Sequence, residues 1–122
     1  MSKRLLVIED QEDNRRIVRD LVTASGYELL EAATGEDGVA MASRERPDLI
    51  LMDIQLPGID GYEVSRRIKA DPLLKHIPII AVTSYALSGD DQKAFAAGCD
   101  GYVTKPYSPR LLLAKIREFL PG

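Results

Sequence analysis

Five polar side chains in this sequence, Glu9, Asp10, Asp53, Thr83 and Lys105, each follow a short apolar run, and together they could handle a divalent cation and a phosphoryl group. Leu5-Leu6-Val7-Ile8 leads into Glu9-Asp10, and Leu49-Ile50-Leu51-Met52 leads into Asp53. Ile79-Ile80-Ala81-Val82 leads into Thr83-Ser84, and Gly101-Tyr102-Val103-Thr104 leads into Lys105-Pro106. Three carboxylates in one shallow site repel, so each needs a counter-ion or a proton. Mg²⁺ answers that need, because it takes oxygen ligands and is typically bound by one or two carboxylates plus phosphate oxygens. A carboxylate at the end of a central strand can also be a nucleophile and form an aspartyl phosphate. Phosphoryl transfer asks the protein mainly for position and for positive charge on the transferring oxygens. Lys105 offers a charge-assisted bond to one oxygen and Thr83 a hydroxyl for another. A cis bond at Lys105-Pro106 would set the direction in which the lysine points.

That chemistry requires the apolar runs to be parallel strands of one sheet, since ligands in open α/β sheets bind outside the carboxyl ends of the strands. The chain alternates strand-like and helix-like segments. A first helix is expected over residues 13–25, with Ile17, Val18, Leu21 and Val22 at helical spacing and Gly26 as its stop. Residues 27–31 form a short run whose polar content suggests a less buried strand. Thr34 with Asp37 opens a second helix that ends before Pro47. A loop with Pro57, Gly58 and Gly61 precedes a third helix through Val64, Ile68 and Lys69. Ser88 with Asp91 reads as a capping pair for an alanine-rich fourth helix stopping at Gly98. Ser108-Pro109 starts the last helix, with Leu112, Ile116 and Leu120 on one apolar face. Strands apolar throughout suit a sheet covered on both faces, so the fold class is α/β, a doubly wound five-stranded parallel sheet.

With 122 residues, 45 % hydrophobic and 29 % charged, the chain fits one domain over residues 1–122 with an ordinary globular balance. No run is long enough to span a bilayer, and no cleavage motif follows Met1-Ser2-Lys3-Arg4, so neither membrane insertion nor secretion is expected. A lone cysteine, Cys99, fits a reducing compartment, and the expected location is the cytoplasm. The net charge of −3 argues against nucleic-acid binding, which needs a basic face.

In Glu9-Asp10, in Asp53 within Leu51-Met52-Asp53-Ile54-Gln55-Leu56-Pro57, in Gly58 and Gly61, in Thr83 and in Lys105-Pro106, the chain resembles a response-regulator receiver domain of two-component signalling. The resemblance covers essentially the whole chain. It implies a flavodoxin-like sheet of strand order 2-1-3-4-5; with the single domain read above, no output domain is expected. It implies that Asp53 accepts a phosphoryl group from a histidine kinase or histidine phosphotransfer protein. Asp10, Asp53 and the backbone carbonyl of Gln55 would hold Mg²⁺, with Glu9 acting through water. The hydroxyl of Thr83 and the ring of Tyr102 would act as a switch, altering the face made by the fourth helix, fifth strand and fifth helix for a downstream effector. The wording around Asp53 and His76-Ile77-Pro78 is similar to stand-alone regulators of cell division and polarity, and occurs in hybrid kinases too. A monomer or weak dimer is expected.

Gln55 and Tyr85 would flank the path of an attacking water, so an amide and a bulky ring there favour a long-lived phosphoryl state. Read without the family, Tyr102 is a packing aromatic. His76 reads as a loop residue, Cys99 as a small buried side chain, and Arg15-Arg16 as a solvated face or a kinase contact. An acidic pair after a strand can simply favour the next helix N-terminus, but matching residues at other strand ends argue for a site. A magnesium-dependent phosphatase with an aspartyl nucleophile would need a general acid near Asp53, where Gln55 stands. A flavodoxin-like cofactor binder would need a phosphate-cradling loop where Glu9-Asp10-Gln11-Glu12-Asp13 is acidic. A receiver-like scaffold that is never phosphorylated would have no use for the full acidic and basic set.

Overall fold

The computed structural model describes residues 2–84 and 90–120. Strands and helices alternate as β1 (Arg4–Ile8), α1 (Glu12–Ala24), β2 (Glu28–Ala32), α2 (Gly35–Glu45), β3 (Leu49–Asp53), α3 (Gly61–Ala70), β4 (Ile79–Thr83), α4 (Asp90–Ala96), β5 (Gly101–Thr104) and α5 (Pro109–Phe119). The strands pair in parallel in the order β2-β1-β3-β4-β5, the order the resemblance implies.

The uniformly apolar strands follow from burial on both sides. Successive residues of a strand point to opposite faces, so Leu6, Ile8, Ile50 and Met52 join one core with Ala42, Val64 and Ile68. Leu5, Val7, Leu49 and Leu51 join the other with Val18, Val22, Leu112 and Ile116. Every residue of β3 and β4 is buried, and each full burial of a Leu or Ile contributes about 2 kcal/mol. Strand β2, at the sheet edge, is largely half-buried, as its polar content suggests.

Helix starts follow local chemistry. The Thr34 hydroxyl accepts from the Asp37 N–H at 3.1 Å, and the Ser108 hydroxyl accepts from Leu111 at 3.0 Å with Pro109 beginning the helix. Asp60 caps α3 in the same way, accepting from Glu63 at 2.9 Å. The pair Ser88 and Asp91 falls partly outside the described residues.

Gly61 opens α3 rather than ending the loop, because the helix start presses against the end of β3. A Cβ there would stand 2.7 Å from the Asp53 carbonyl oxygen and 2.8 Å from Ile54 Cα. Ile17 departs from its expected place. Val18 and Val22 carry the buried stripe of α1, while Ile17 is 49 % exposed. Neighbouring helix positions differ by about 100° in direction, and here that turns Ile17 out of the core.

Candidate functional site

Strand register builds the site before any side chain does. Ile8 pairs with Met52, which brings Glu9 level with Asp53. Asp53 pairs with Val82, so Thr83 lies one step further out, and Thr83 pairs with Thr104, so Lys105 comes next. Because all the strands run parallel, these residues share one edge. The Lys105 N–H donates to the Thr83 carbonyl at 2.6 Å, tying the last two together, and the Lys105-Pro106 bond is cis.

One carboxylate oxygen from each of Glu9, Asp10 and Asp53 lies within 4.8 Å of the others. Lys105 Nζ stands 3.4 Å from Glu9 Oε1 and 3.5 Å from Asp53 Oδ2. Glu9, Asp53 and Thr83 are nearly closed off from solvent, at 4 %, 8 % and 2 % exposure. Charges that close, with little water between them, interact strongly.

Glu9 shows the cost of the crowding. Its Oε1 accepts from Asn14 Nδ2 at 2.5 Å and faces Lys105, but its buried Oε2 has no hydrogen-bond partner among the described residues. Burial, and then the Asp53 carboxyl beside it, push the Glu9 carboxyl up to about 7, against the pull of Asn14 and Lys105. A buried carboxylate oxygen with no donor, in a set of three hard oxygen acids, fits magnesium.

The surroundings hold these groups in place. The Glu9 N–H donates to Ala32 at 3.0 Å, and Arg15 Nη1 donates to the Glu9 carbonyl at 2.7 Å. Arg15 also pairs with Glu12 and Glu31, so it is committed to its own chain and is not a solvated side chain, whereas Arg16 is exposed. Gln55 touches two site residues at once. Its backbone N–H donates to Asp53 Oδ1 at 3.2 Å, and its side-chain amide lies on the Thr83 hydroxyl, with Nε2 at 2.9 Å and Oε1 at 3.2 Å.

Two neighbours, Asn14 and Tyr107, escaped the sequence reading, and Arg15 was read there only as a solvated face or a kinase contact. Asn14 and Arg15 sit one turn into α1, where a helix that follows a strand faces back toward the strand end. Tyr107, two residues after Lys105, lines a cavity of about 20 Å³ beneath the carboxylates together with Asn14, Val18 and Leu112. Its phenol is raised by burial and then by the Glu9 and Asp53 charges. A wider groove of about 410 Å³ opens outside, between Asn14, Ile17, Ser84, Lys105, Pro106 and Tyr107.

The remaining candidates lie elsewhere. Tyr102 is half-buried in β5 and packs against the core that includes Ile50 and Ile68. His76 is exposed in the turn before β4. Cys99 is buried with Sγ 3.5 Å from the Ser65 hydroxyl, and burial pushes its thiol up, away from reactivity. Tyr85 lies outside the described residues. Among the described residues no helix is long and apolar enough to cross a membrane.

The family described as the response regulator receiver domain matches residues 5–117. The chain is 43 % identical to the polar-differentiation response regulator DivK of Brucella anthropi over 120 residues, 98 % of each chain. It is similar to the receiver domain of the sensor histidine kinase PA1611 from Pseudomonas aeruginosa, whose crystal structure has a magnesium ion coordinated in the active site cleft. That match is 33 % identical with a TM-score of 0.92 and covers 100 % of both chains. A further match is to the co-crystal structure of the Saccharomyces cerevisiae histidine phosphotransfer signalling protein Ypd1 with the receiver domain of its downstream response regulator Ssk1. There the identity is 26 % and the TM-score 0.89, over 97 % of this chain and 88 % of that one.

Proposed function

This chain belongs to the response regulator receiver domain family of two-component signalling, and from that premise we propose that it takes a phosphoryl group from a phosphohistidine onto Asp53. An Asp53 oxygen attacks phosphorus, the P–N bond breaks, and the imidazole leaves with the electron pair and takes up a proton. Lys105 steadies the charge on one transferring oxygen and Thr83 donates to another. Glu9, Asp10, Asp53 and the Gln55 carbonyl are the groups that would hold Mg²⁺, which when bound supplies positive charge to the phosphoryl oxygens.

The observation that carries this reading is Lys105 Nζ at 3.5 Å from Asp53 Oδ2, inside a ring of acids that only a cation or a proton relieves. The donor would be a histidine kinase or histidine phosphotransfer protein, the partner class seen with the Ssk1 receiver. Thr83 and Tyr102 relay the modification to the face of α4, β5 and α5, where Phe95 and Leu111 stand exposed for an effector. In this reading residues 1–122 form one receiver domain that works in the cytoplasm, as a monomer or weak dimer, without substrate turnover.

Incubation with acetyl phosphate and Mg²⁺, followed by intact mass measurement, tests the assignment. The parent should gain one phosphoryl mass and Asp53→Asn none. Modification of both to the same extent would overturn it.

A further inference from the structure

We propose that Gln55 is a positioning residue that keeps the Thr83 hydroxyl engaged until Asp53 is loaded, so that the two compete for one hydrogen-bonding group. This inference rests on Asp53 being the phosphoacceptor.

Thr83 is 2 % exposed at the end of β4, where a hydroxyl must be satisfied within the protein. Gln55 reaches it from the loop after β3, although Gln55 itself is exposed and could stay in water. Its amide lies flat across the hydroxyl, Nε2 at 2.9 Å and Oε1 at 3.2 Å, so the contact can be made with either partner donating. The same residue donates its backbone N–H to Asp53 Oδ1 at 3.2 Å. That loop is held on both sides of Gln55, since the Ile54 carbonyl accepts from Leu56 at 3.1 Å and from Gly61 at 2.9 Å. Gln55 therefore touches Asp53 through rigid backbone and Thr83 through a flexible side chain.

A tetrahedral phosphoryl group on Asp53 brings new acceptor oxygens to the sheet edge on which Thr83 lies. The hydroxyl has one proton to donate. In the arrangement where the hydroxyl donates to the Gln55 amide oxygen, it must leave that oxygen to serve the phosphoryl group, and the amide must turn back to water. The exchange costs about one net hydrogen bond, which sets a modest bias against the loaded state. Substitution of the side chain leaves the Gln55 carbonyl and its N–H to Asp53 in place, so the latch can be removed without dismantling the acidic site.

The test is a titration with beryllium fluoride in Mg²⁺, a phosphoryl mimic, followed by fluorine NMR. Gln55→Ala should bind about three- to tenfold more tightly than the parent. Gln55→Met, which keeps the bulk without the amide, should behave as Gln55→Ala does. In a Thr83→Ala background the gain should vanish, since a double-mutant cycle isolates the pair. Unchanged or weaker binding by Gln55→Ala, parent-like binding by Gln55→Met, or the same gain without the Thr83 hydroxyl would each overturn the latch. Binding by Asp53→Asn as strong as the parent's, or none by the parent, would instead defeat the phosphoacceptor assignment and the latch with it.

Discussion

Glu9 and Lys105, 96 positions apart in the chain, meet at 3.4 Å between Oε1 and Nζ at the edge of the sheet. The contact joins the end of β1 to the residue after β5, strands separated in the sheet by β3 and β4. The lysine answers one carboxylate oxygen and leaves the other buried and unpartnered among the described residues, and the stability of the site follows from that imbalance.

Stability without metal should fall as pH rises. The Glu9 carboxyl moves from 4.5 up to about 7 on folding, so between those values the folded chain holds a proton that the unfolded chain has lost. The unfavourable contribution is absent below pH 4.5, grows through the interval and is complete above 7. At 1.36 kcal/mol per pKa unit, its full size is about 3 kcal/mol, of which about 2 kcal/mol develops above pH 5.5. Urea unfolding in chelator at pH 5.5 and pH 8 measures it. Glu9→Gln should flatten the profile, and an equally steep profile in that variant would assign the effect to another group.

Asp53→Asn should melt higher than the parent in metal-free buffer, by about 3–5 °C, because it removes one of three crowded charges. Added Mg²⁺ should raise the parent's melting temperature and move the variant's less. Differential scanning calorimetry with and without the cation decides it, and a variant that melts lower in chelator contradicts the crowding argument.

Removing the ammonium should do the opposite. Lys105→Met should cost about 1–2 kcal/mol at pH 8 in chelator, since Glu9 and Asp53 lose the cation they share. At pH 5.5, with Glu9 protonated, the loss should shrink. Equal losses at the two pH values would mean that Lys105 acts through packing alone.

Two glycines should respond differently to alanine. Gly61→Ala drives a Cβ against the backbone at Asp53 and Ile54, so it should destabilise by about 2–3 kcal/mol and weaken Mg²⁺ binding measured by calorimetry. Gly26 has a φ of +89° with open space around it, so alanine there should cost about 1–2 kcal/mol and leave Mg²⁺ binding unchanged. Parent-like Mg²⁺ affinity in Gly61→Ala would show that the site tolerates a shift of that backbone.

The legible features share a short range. The caps at Thr34 and Ser108 are bonds between residues three apart, so residue type and spacing reveal them. The paired cores follow from strands with no polar face. Ile17 misled because helical spacing marks a broad stripe, and only packing against the sheet decides which edge of it is covered. Arg15 was ambiguous for a related reason. Its bonds to Glu9 and Glu31 cross from α1 to the ends of β1 and β2, and nothing local announces them. The Gln55 and Thr83 contact spans 28 positions, and a glutamine in a loop carries no mark of its partner.

By itself the amino-acid order determined which segments become strands, that both sheet faces are covered, and that acids, a hydroxyl and a lysine end those strands. Those properties depend on neighbours along the chain and on alternation of side chains. Only the folded structure decided that Glu9 sits level with Asp53, that Lys105 is shared between them, and that one Glu9 oxygen is sealed in with no donor among the described residues. These depend on register between distant strands and on how little water reaches the edge, and both are settled by packing of the whole sheet.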